Sequence, residues 1–391
     1  MLKLNIDVKQ KRVDIMNEPI PSNRIFKALK DKGCIILACN TRITIGVAKG
    51  IFRAAKDLDA ALITELARTE CNQHVGYSGL TPETLARNLK EANEEVGHDI
   101  WALHADHIGI KKGDAQDISD TKELIEAQIK AGYTSFAIDA SHLFDFEGKT
   151  VEEELAPNLA ATIEIGKFIQ EKMAGNEFGL EVEVGEIGRK GAEGMILTKP
   201  EEAVTYITKL HEAGISPNVI AIANGSTHGN IYDGDGKPVA QVTIDIEQTK
   251  AVAAALRDNK FDVRIAQHGI TGTPLEIIKD KFPHGDILKG NVATLFQNIV
   301  FDNLKKFHPE LHQEMVDWVL ENKPMEGKNP EMVFGRNGKY ATKVFFDKIY
   351  AMSDECRAAI EEESYNAASD HIKAFKSEGS AAIVREAMKN E

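Results

Sequence analysis

Ile100-Trp101-Ala102-Leu103-His104-Ala105-Asp106-His107-Ile108-Gly109 begins as an apolar run and ends abruptly in an acid, a histidine and a glycine. Such a stretch reads as a buried strand that delivers chemistry at its C-terminal tip. A neutral imidazole can bind a metal, and a neighbouring carboxylate can move a proton. Working outward, one unit recurs: apolar run, polar or glycine-bearing loop, amphipathic helix. The runs fall at 34–40, 60–66, 100–106, 135–141, 180–185, 219–225, 263–269 and 286–291. The last is the weakest by composition, with only Ile287 and Leu288 apolar. Strands alternating with helices pair in parallel, and eight such units most often close on themselves. An α/β protein with a TIM (β/α)8 barrel is therefore predicted, an open doubly wound sheet being the competing architecture.

The helix signals fit this spacing. Thr81-Pro82-Glu83 offers an N-cap and a first-turn proline, Leu85, Leu89, Ala92 and Val96 line one face, and Gly97 closes it. Asp120 with Glu123, and Thr198 with Glu201, have capping-box spacing ahead of helices that end at Gly132 and Gly214. Further helices are expected near 22–32, 45–57, 151–173, 246–258, 273–281 and 293–306. Beyond 308 the alternation stops. The expected division is a barrel over 1–307, with its N-terminal helix, and a helical extension over 308–391 that serves as a dimer contact. One looser stretch lies at 321–339.

Composition narrows the function. The 391 residues, 42% of them hydrophobic, are ample for a barrel core, and no apolar run reaches the roughly 18 to 20 residues of a membrane helix. The N-terminus carries no apolar segment of signal-peptide length, so a cytoplasmic address is expected. Cys34, Cys39, Cys71 and Cys356 have no CxxC spacing, which suits a reducing compartment and excludes a zinc finger. A net charge of −14 repels nucleic acid on average, while a small phosphate needs only a local positive pocket. The absence of GxGxxG and Walker sequences removes the usual signals for dinucleotide binding and NTP hydrolysis. Asp233-Gly234-Asp235-Gly236 reads as a turn, because the EF-hand ligand spacing is missing.

In an α/β barrel the catalytic groups sit at the C-terminal ends of the strands. The unusual polar residues of this chain collect there: Asp106 and His107, then Asp139, Ser141 and His142, Glu181 and Glu183, Asn224, Ser226 and His228, His268, and Asn291. His107, His228 and His268 form a candidate three-nitrogen metal site with an open fourth position, which Glu183 or Asp139 could share. His104, two residues before Asp106, reads as core or as support behind the site, and His142 stays ambiguous. Gly229 after His228, and Gly269 and Gly272 flanking Thr271, allow backbone N–H groups to approach an anion near a helix starting at 293.

Taken together, LHADH, SFAIDASH, EVEVGEIG, THGNIY, IAQHGITGTP and LKGNVAT, spread over about 34–305, resemble the successive motifs of class II, metal-dependent ketose-bisphosphate aldolases. The resemblance implies reversible cleavage of a ketose (bis)phosphate, fructose-1,6-bisphosphate-like, to dihydroxyacetone phosphate and an aldehyde. It makes Asp106 the proton carrier, His107, His228 and His268 ligands of Zn2+ or another divalent metal, and Glu183 and Asp139 ligands at an alternative position or for a second metal or monovalent cation. It places Asn291 at the enediolate, Glu193 at the second proton, and Gly229, Gly269, Thr271, Gly272 and Thr294 around the phosphate. Lys343, in GKYATKVFF (338–346), falls where the family has an arginine reaching into a neighbouring subunit, so a homodimer or higher homo-oligomer is implied.

Three departures concern the distal part of the substrate: Ala293 replaces an aspartate, Ala67 a serine, and Lys343 the arginine. The stretch 69–83 instead resembles a non-catalytic subunit associated with tagatose-bisphosphate aldolase, and its Glu70, Asn72 and Gln73 could rebuild the distal pocket. A sugar-phosphate epimerase and a non-catalytic partner subunit are the alternative readings.

Overall fold

The computed structural model describes residues 18–186, 188, 190–191, 194–227, 229–233 and 237–390. Eight parallel strands form a closed barrel: β1 (Ile36–Asn40), β2 (Leu62–Ala67), β3 (Trp101–Gly109), β4 (Ser135–Asp139), β5 (Gly179–Glu183), β6 (Val219–Ala221), β7 (Arg264–Gln267) and β8 (Ile287–Val292). Each pairs with its sequence neighbours, and β8 returns to β1 with Leu37 opposite Gly290 and Ala38 opposite Asn291. This is a TIM barrel with a helical C-terminal region. Its outer helices supply the apolar jacket: Leu85 and Leu89 from 82–96, Ile165 and Ile169 from 151–173, and Tyr206 and Leu210 from 200–212 are fully buried against the outward faces of the strands.

Apolar packing seals the N-terminal end. Ile25, Phe26 and Leu29 of helix Ser22–Leu29 and Val384 of helix Ser380–Lys389 close over Ile36, Ala61, Ile63, Ala102 and Leu288. The opposite end is left open for chemistry.

Three local details differ from the expectations. Helix Ala115–Ala131 begins before Asp120, because Asp114 caps it by accepting the Asp117 N–H, while Asp117 gathers the N–H groups of Lys111, Lys112 and Gly113. Helix Pro200–Glu212 is closed by Glu202, which accepts the Lys199 N–H at 2.9 Å; Thr198 is occupied in accepting the Ala223 N–H. The stretch 321–339 contains helix Pro330–Asn337, capped by Asn329. The compositional weakness of β8 has a packing cause. Gly290 sits under the Phe375 ring, where a Cβ would come within 2.7 Å, and Lys289 faces inward rather than toward the helices.

The C-terminal region wraps back over the barrel. Helix Asp354–Ala374 lies along helix Val47–Asp57, and a Cβ on Gly50 would meet the Glu361 carbonyl at 2.4 Å. Among the described residues no helix is long and apolar enough to cross a membrane.

Gly50→Ala should therefore destabilise the protein by about 1–2 kcal/mol, since overpacking against backbone outweighs the roughly 1 kcal/mol that alanine gains in a helix; urea unfolding reads this directly. A second prediction concerns acid. Burial pushes the His98 imidazole down to about 4 from 6.5, although its Nε2 lies 2.9 Å from the Ile100 carbonyl. The unfolded chain then binds the extra proton between pH 6.5 and 4, so stability falls as pH drops through that window, by up to about 3 kcal/mol. His98→Gln should flatten that part of the stability–pH curve.

Candidate active site

On a regular strand successive side chains point to opposite faces, so Asp106 and His107 could not both face the barrel mouth. The β3–β4 pairing shifts register between Ala105 and Ile108, and His107 takes φ 36°, a left-handed conformation uncommon for a residue with a side chain. This bulge turns both residues to a cavity of about 960 Å³ at the C-terminal mouth.

Two histidines meet there. Nδ1 of His107 lies 2.9 Å from Glu183 Oε2 and 3.2 Å from Asp139 Oδ2, and Nε2 of His268 lies 2.6 Å from Glu181 Oε1. Ionised carboxylates only accept, so these ring nitrogens carry the N–H. The remaining nitrogens, Nε2 of His107 and Nδ1 of His268, face one another at 2.7 Å. Two lone pairs at that distance require a positive charge between them. Burial opposes protonation of His107, but Asp106, Glu183 and Asp139 carry its pKa well above the ordinary value, so a proton can fill that role. A divalent metal fits the same demand: imidazoles whose far nitrogens donate to carboxylates are the usual ligands, their tautomers fixed in advance. Asp139 and Glu183 lie on the Nδ1 side of His107, away from the shared position, and the three residues would hold a second cation only with that nitrogen deprotonated. His228 and Glu193 lie outside the described residues.

Asp106 is poised asymmetrically. Its Oδ1 accepts from Asn291 Nδ2 at 3.1 Å, while Oδ2 has no hydrogen-bond partner among the described residues and lies 4.0 Å from His107 Nε2. Burial alone would raise this carboxyl, but His107, Lys289 and His268 outweigh it and bring it down to about 2. Asp106 is therefore held in its ionised form, the form in which a carboxylate can accept a proton. The Oδ1 of Asn291 is buried without a hydrogen-bond partner among the described residues.

Gly229, Gly269, Thr271 and Thr294 line the same cavity, Thr294 opening helix Thr294–Phe307. Gly229 and Gly269 have φ 80° and 64°, and a Cβ on Gly269 would strike the Thr227 carbonyl at 2.6 Å. Small loops at a helix N-terminus make an anion cradle. Gly272 stands outside the wall, its carbonyl accepting the Gln241 N–H. Lys343 also stands outside it, exposed, with Nζ donating to the Val75 carbonyl of the same chain.

Sequence reasoning missed two groups. Lys289 is wholly buried beneath the site, 2.7 Å from Glu181 and 2.9 Å from Glu65. The signal available was a charge inside an apolar run, at inward register, in both LITEL and ILKGN. The second group is Arg42, Tyr77, Lys339 and Tyr340, which join Glu70 and Asn72 in the cavity wall. Glu70 is buried and accepts from Arg42 Nε, Tyr77 OH, Asn40 and the Ala67 N–H. Despite its burial, Arg42 holds its carboxyl below the usual range. Lys339 Nζ sits 5.6 and 5.3 Å from the Tyr77 and Tyr340 ring centres, and within one chain Lys339 is the basic residue of the 338–346 segment that lines the cavity. No local sequence pattern pointed to this, since it depends on the extension folding back.

A model of the family described as fructose-bisphosphate aldolase class-II matches residues 21–380. The chain belongs to that family. Class II aldolases depend on a metal, in keeping with the converging donors at His107 and His268. A fructose-bisphosphate aldolase of Helicobacter pylori (strain J99) is 29% identical over 283 residues, 71% of this chain and 77% of that protein. Among solved structures, the fructose-bisphosphate aldolase of Campylobacter jejuni superposes with a TM-score of 0.59 at 18% identity, covering 93% of this chain and 97% of that one. The fructuronate-tagaturonate epimerase UxaE of Cohnella laeviribosi gives a TM-score of 0.60 at 12% identity, covering 92% and 83%. At such identities the structural likenesses speak for the barrel alone.

If Glu181 fixes the tautomer of His268, Glu181→Gln should weaken divalent-metal binding about 10- to 100-fold, as loss of an outer carboxylate typically does. Competition titration against a chromophoric chelator measures it.

Proposed function

We propose that this class II aldolase reversibly cleaves the C3–C4 bond of a ketose phosphate, giving dihydroxyacetone phosphate and an aldehyde, with fructose-1,6-bisphosphate-like sugars as the preferred class. The observation that carries the reading is the shared cavity: Asp106, whose Oδ2 has no hydrogen-bond partner among the described residues, His107 and His268 with their two facing ring nitrogens, and the glycine–threonine cradle all line it. Its wall also carries Lys339 beside the paired Arg42 and Glu70, and the lysine favours a second anionic group on the sugar.

In this reading His107 and His268, with His228, would hold a divalent metal such as zinc, which would supply Lewis acidity toward the ketone oxygen, a contribution worth several kcal/mol. The protein supplies the rest. The cradle of Gly229, Gly269, Thr271 and Thr294 anchors the phosphate and so fixes the ketone carbons. Asp106 Oδ2 takes the C4 hydroxyl proton as the C3–C4 bond breaks; the bond's electron pair stays on the three-carbon fragment as an enediolate, and the aldehyde leaves. Asn291 holds Asp106 by its amide N–H and offers its buried Oδ1, which has no partner among the described residues, to a substrate hydroxyl. The second proton, which converts the enediolate to dihydroxyacetone phosphate, we assign to Glu193.

The test is to incubate the metal-loaded protein with dihydroxyacetone phosphate and a panel of aldehydes, phosphorylated and not, and to identify the ketose formed. Condensation is expected, abolished by a chelator and lowered about 10²- to 10⁴-fold by Asp106→Asn. Full activity after metal removal, or unchanged turnover in the variant, would sink the mechanism. Inversion of a sugar stereocentre without release of aldehyde would favour an epimerase.

A further inference from the structure

Beneath Asp106 the barrel interior holds a lysine that the reaction does not touch. Lys289 is fully buried and absent from the cavity wall, whereas Asp106 and Glu65 both reach that wall. Its Nζ lies 2.7 Å from Glu181 Oε2, 2.9 Å from Glu65 Oε2 and 3.6 Å from Asp106 Oδ1. Side chains two residues apart on a strand share a face. Lys289 and Asn291 therefore rise together from β8, and both address the same oxygen of Asp106, Asn291 at 3.1 Å. The other oxygen is left for substrate. Glu65 and Glu181 in turn hold the ammonium in place, and Glu181 ties it to His268.

We propose that Lys289 is a positioning residue for the carbon–carbon step: its ammonium pins the inner oxygen of Asp106 from below, so that the outer oxygen meets the C4 hydroxyl of the substrate. The inference rests on the aldolase reading above. It makes a distinction that a merely structural lysine would not. Exchange of the C–H proton of dihydroxyacetone phosphate with solvent involves no C4 hydroxyl, so Asp106 has no proton to move in it. Cleavage and condensation do require that transfer. Loss of Lys289 should damage the second process and spare the first.

The experiment uses the full-length, metal-loaded protein. For wild type and Lys289→Met, the rate of aldehyde release from the ketose phosphate is measured beside the exchange of dihydroxyacetone phosphate in deuterated water, followed by proton NMR. The expected result is a kcat for cleavage lowered about 100-fold, with KM, metal content and exchange rate each within about threefold of wild type. Lys289→Gln keeps an N–H donor at the buried site and should show the same split if the methionine protein does not fold. Cleavage within threefold of wild type, or cleavage and exchange falling together in a folded, metal-loaded variant, overturns the proposal. A wild-type protein that releases no aldehyde overturns the aldolase reading, and this one with it, before any variant is compared.

Discussion

The left-handed turn at His107 is the constraint on which the site depends. A barrel strand offers one inward side chain per two residues, and consecutive positions are normally split between core and interior. By placing His107 at φ 36° inside a bulge, β3 presents two adjacent chemical groups to one cavity. The conformation is costly for a residue with a Cβ, on the order of 1–3 kcal/mol, and must be held by its surroundings. Here Asp139 and Glu183, at the ends of β4 and β5, grip the His107 ring, and the Gly109 carbonyl accepts from Arg68. The strain is thus confined between anchored neighbours.

A second constraint lies one layer deeper. TIM barrels usually fill their interior with bulky apolar side chains. This interior is apolar at its floor, where Ile36, Ile63 and Ala102 pack together, and ionic in its middle, where Lys289 meets Glu65 and Glu181. Burying such charges rarely adds stability compared with a hydrophobic replacement. Their presence is better understood through what stands on them. Glu181 orients His268, Lys289 faces Asp106, and His104 bonds Ser135 while lying 3.3 Å from Glu181. Burial, together with the charge of Asp106, pushes Glu65 up to about 8 against the pull of Lys289. The layer therefore carries less negative charge near neutrality than its carboxyl count suggests.

The barrel was legible because periodicity and strand-end chemistry repeat eight times, and the motifs at 103–107 and 286–294 sit on strand ends as read. What was hidden follows from the same physics. Asp106 and His107 are adjacent in sequence, but their shared direction arises from a register shift that no composition signals. Helix 115–131 was misplaced at its start because Asp114 and Asp120 both have the chemistry of a cap, and the backbone amides of 111–113 chose between them through Asp117. Lys289 made β8 look like a poor strand, since a buried lysine is read as an exposed one until its partners on β2 and β5 are known.

The C-terminal region enters the site by a different route. Thr342 Oγ1 donates to the Tyr77 carbonyl at 2.7 Å, and the Lys343 N–H reaches the same oxygen at 3.1 Å, fastening 338–343 to the loop after β2. Lys339 and Tyr340 are thereby held against Tyr77, whose hydroxyl donates to Glu70, which pairs with Arg42. Arg42 and Glu70 largely neutralise each other, leaving Lys339 as a cation that burial and Arg42 both push toward neutrality. A cation placed so has much to gain from an anionic ligand and little from water. The loop after β2 and the extension thus act as one wall of the cavity, and a change in either one alters the charge that the distal end of a substrate meets.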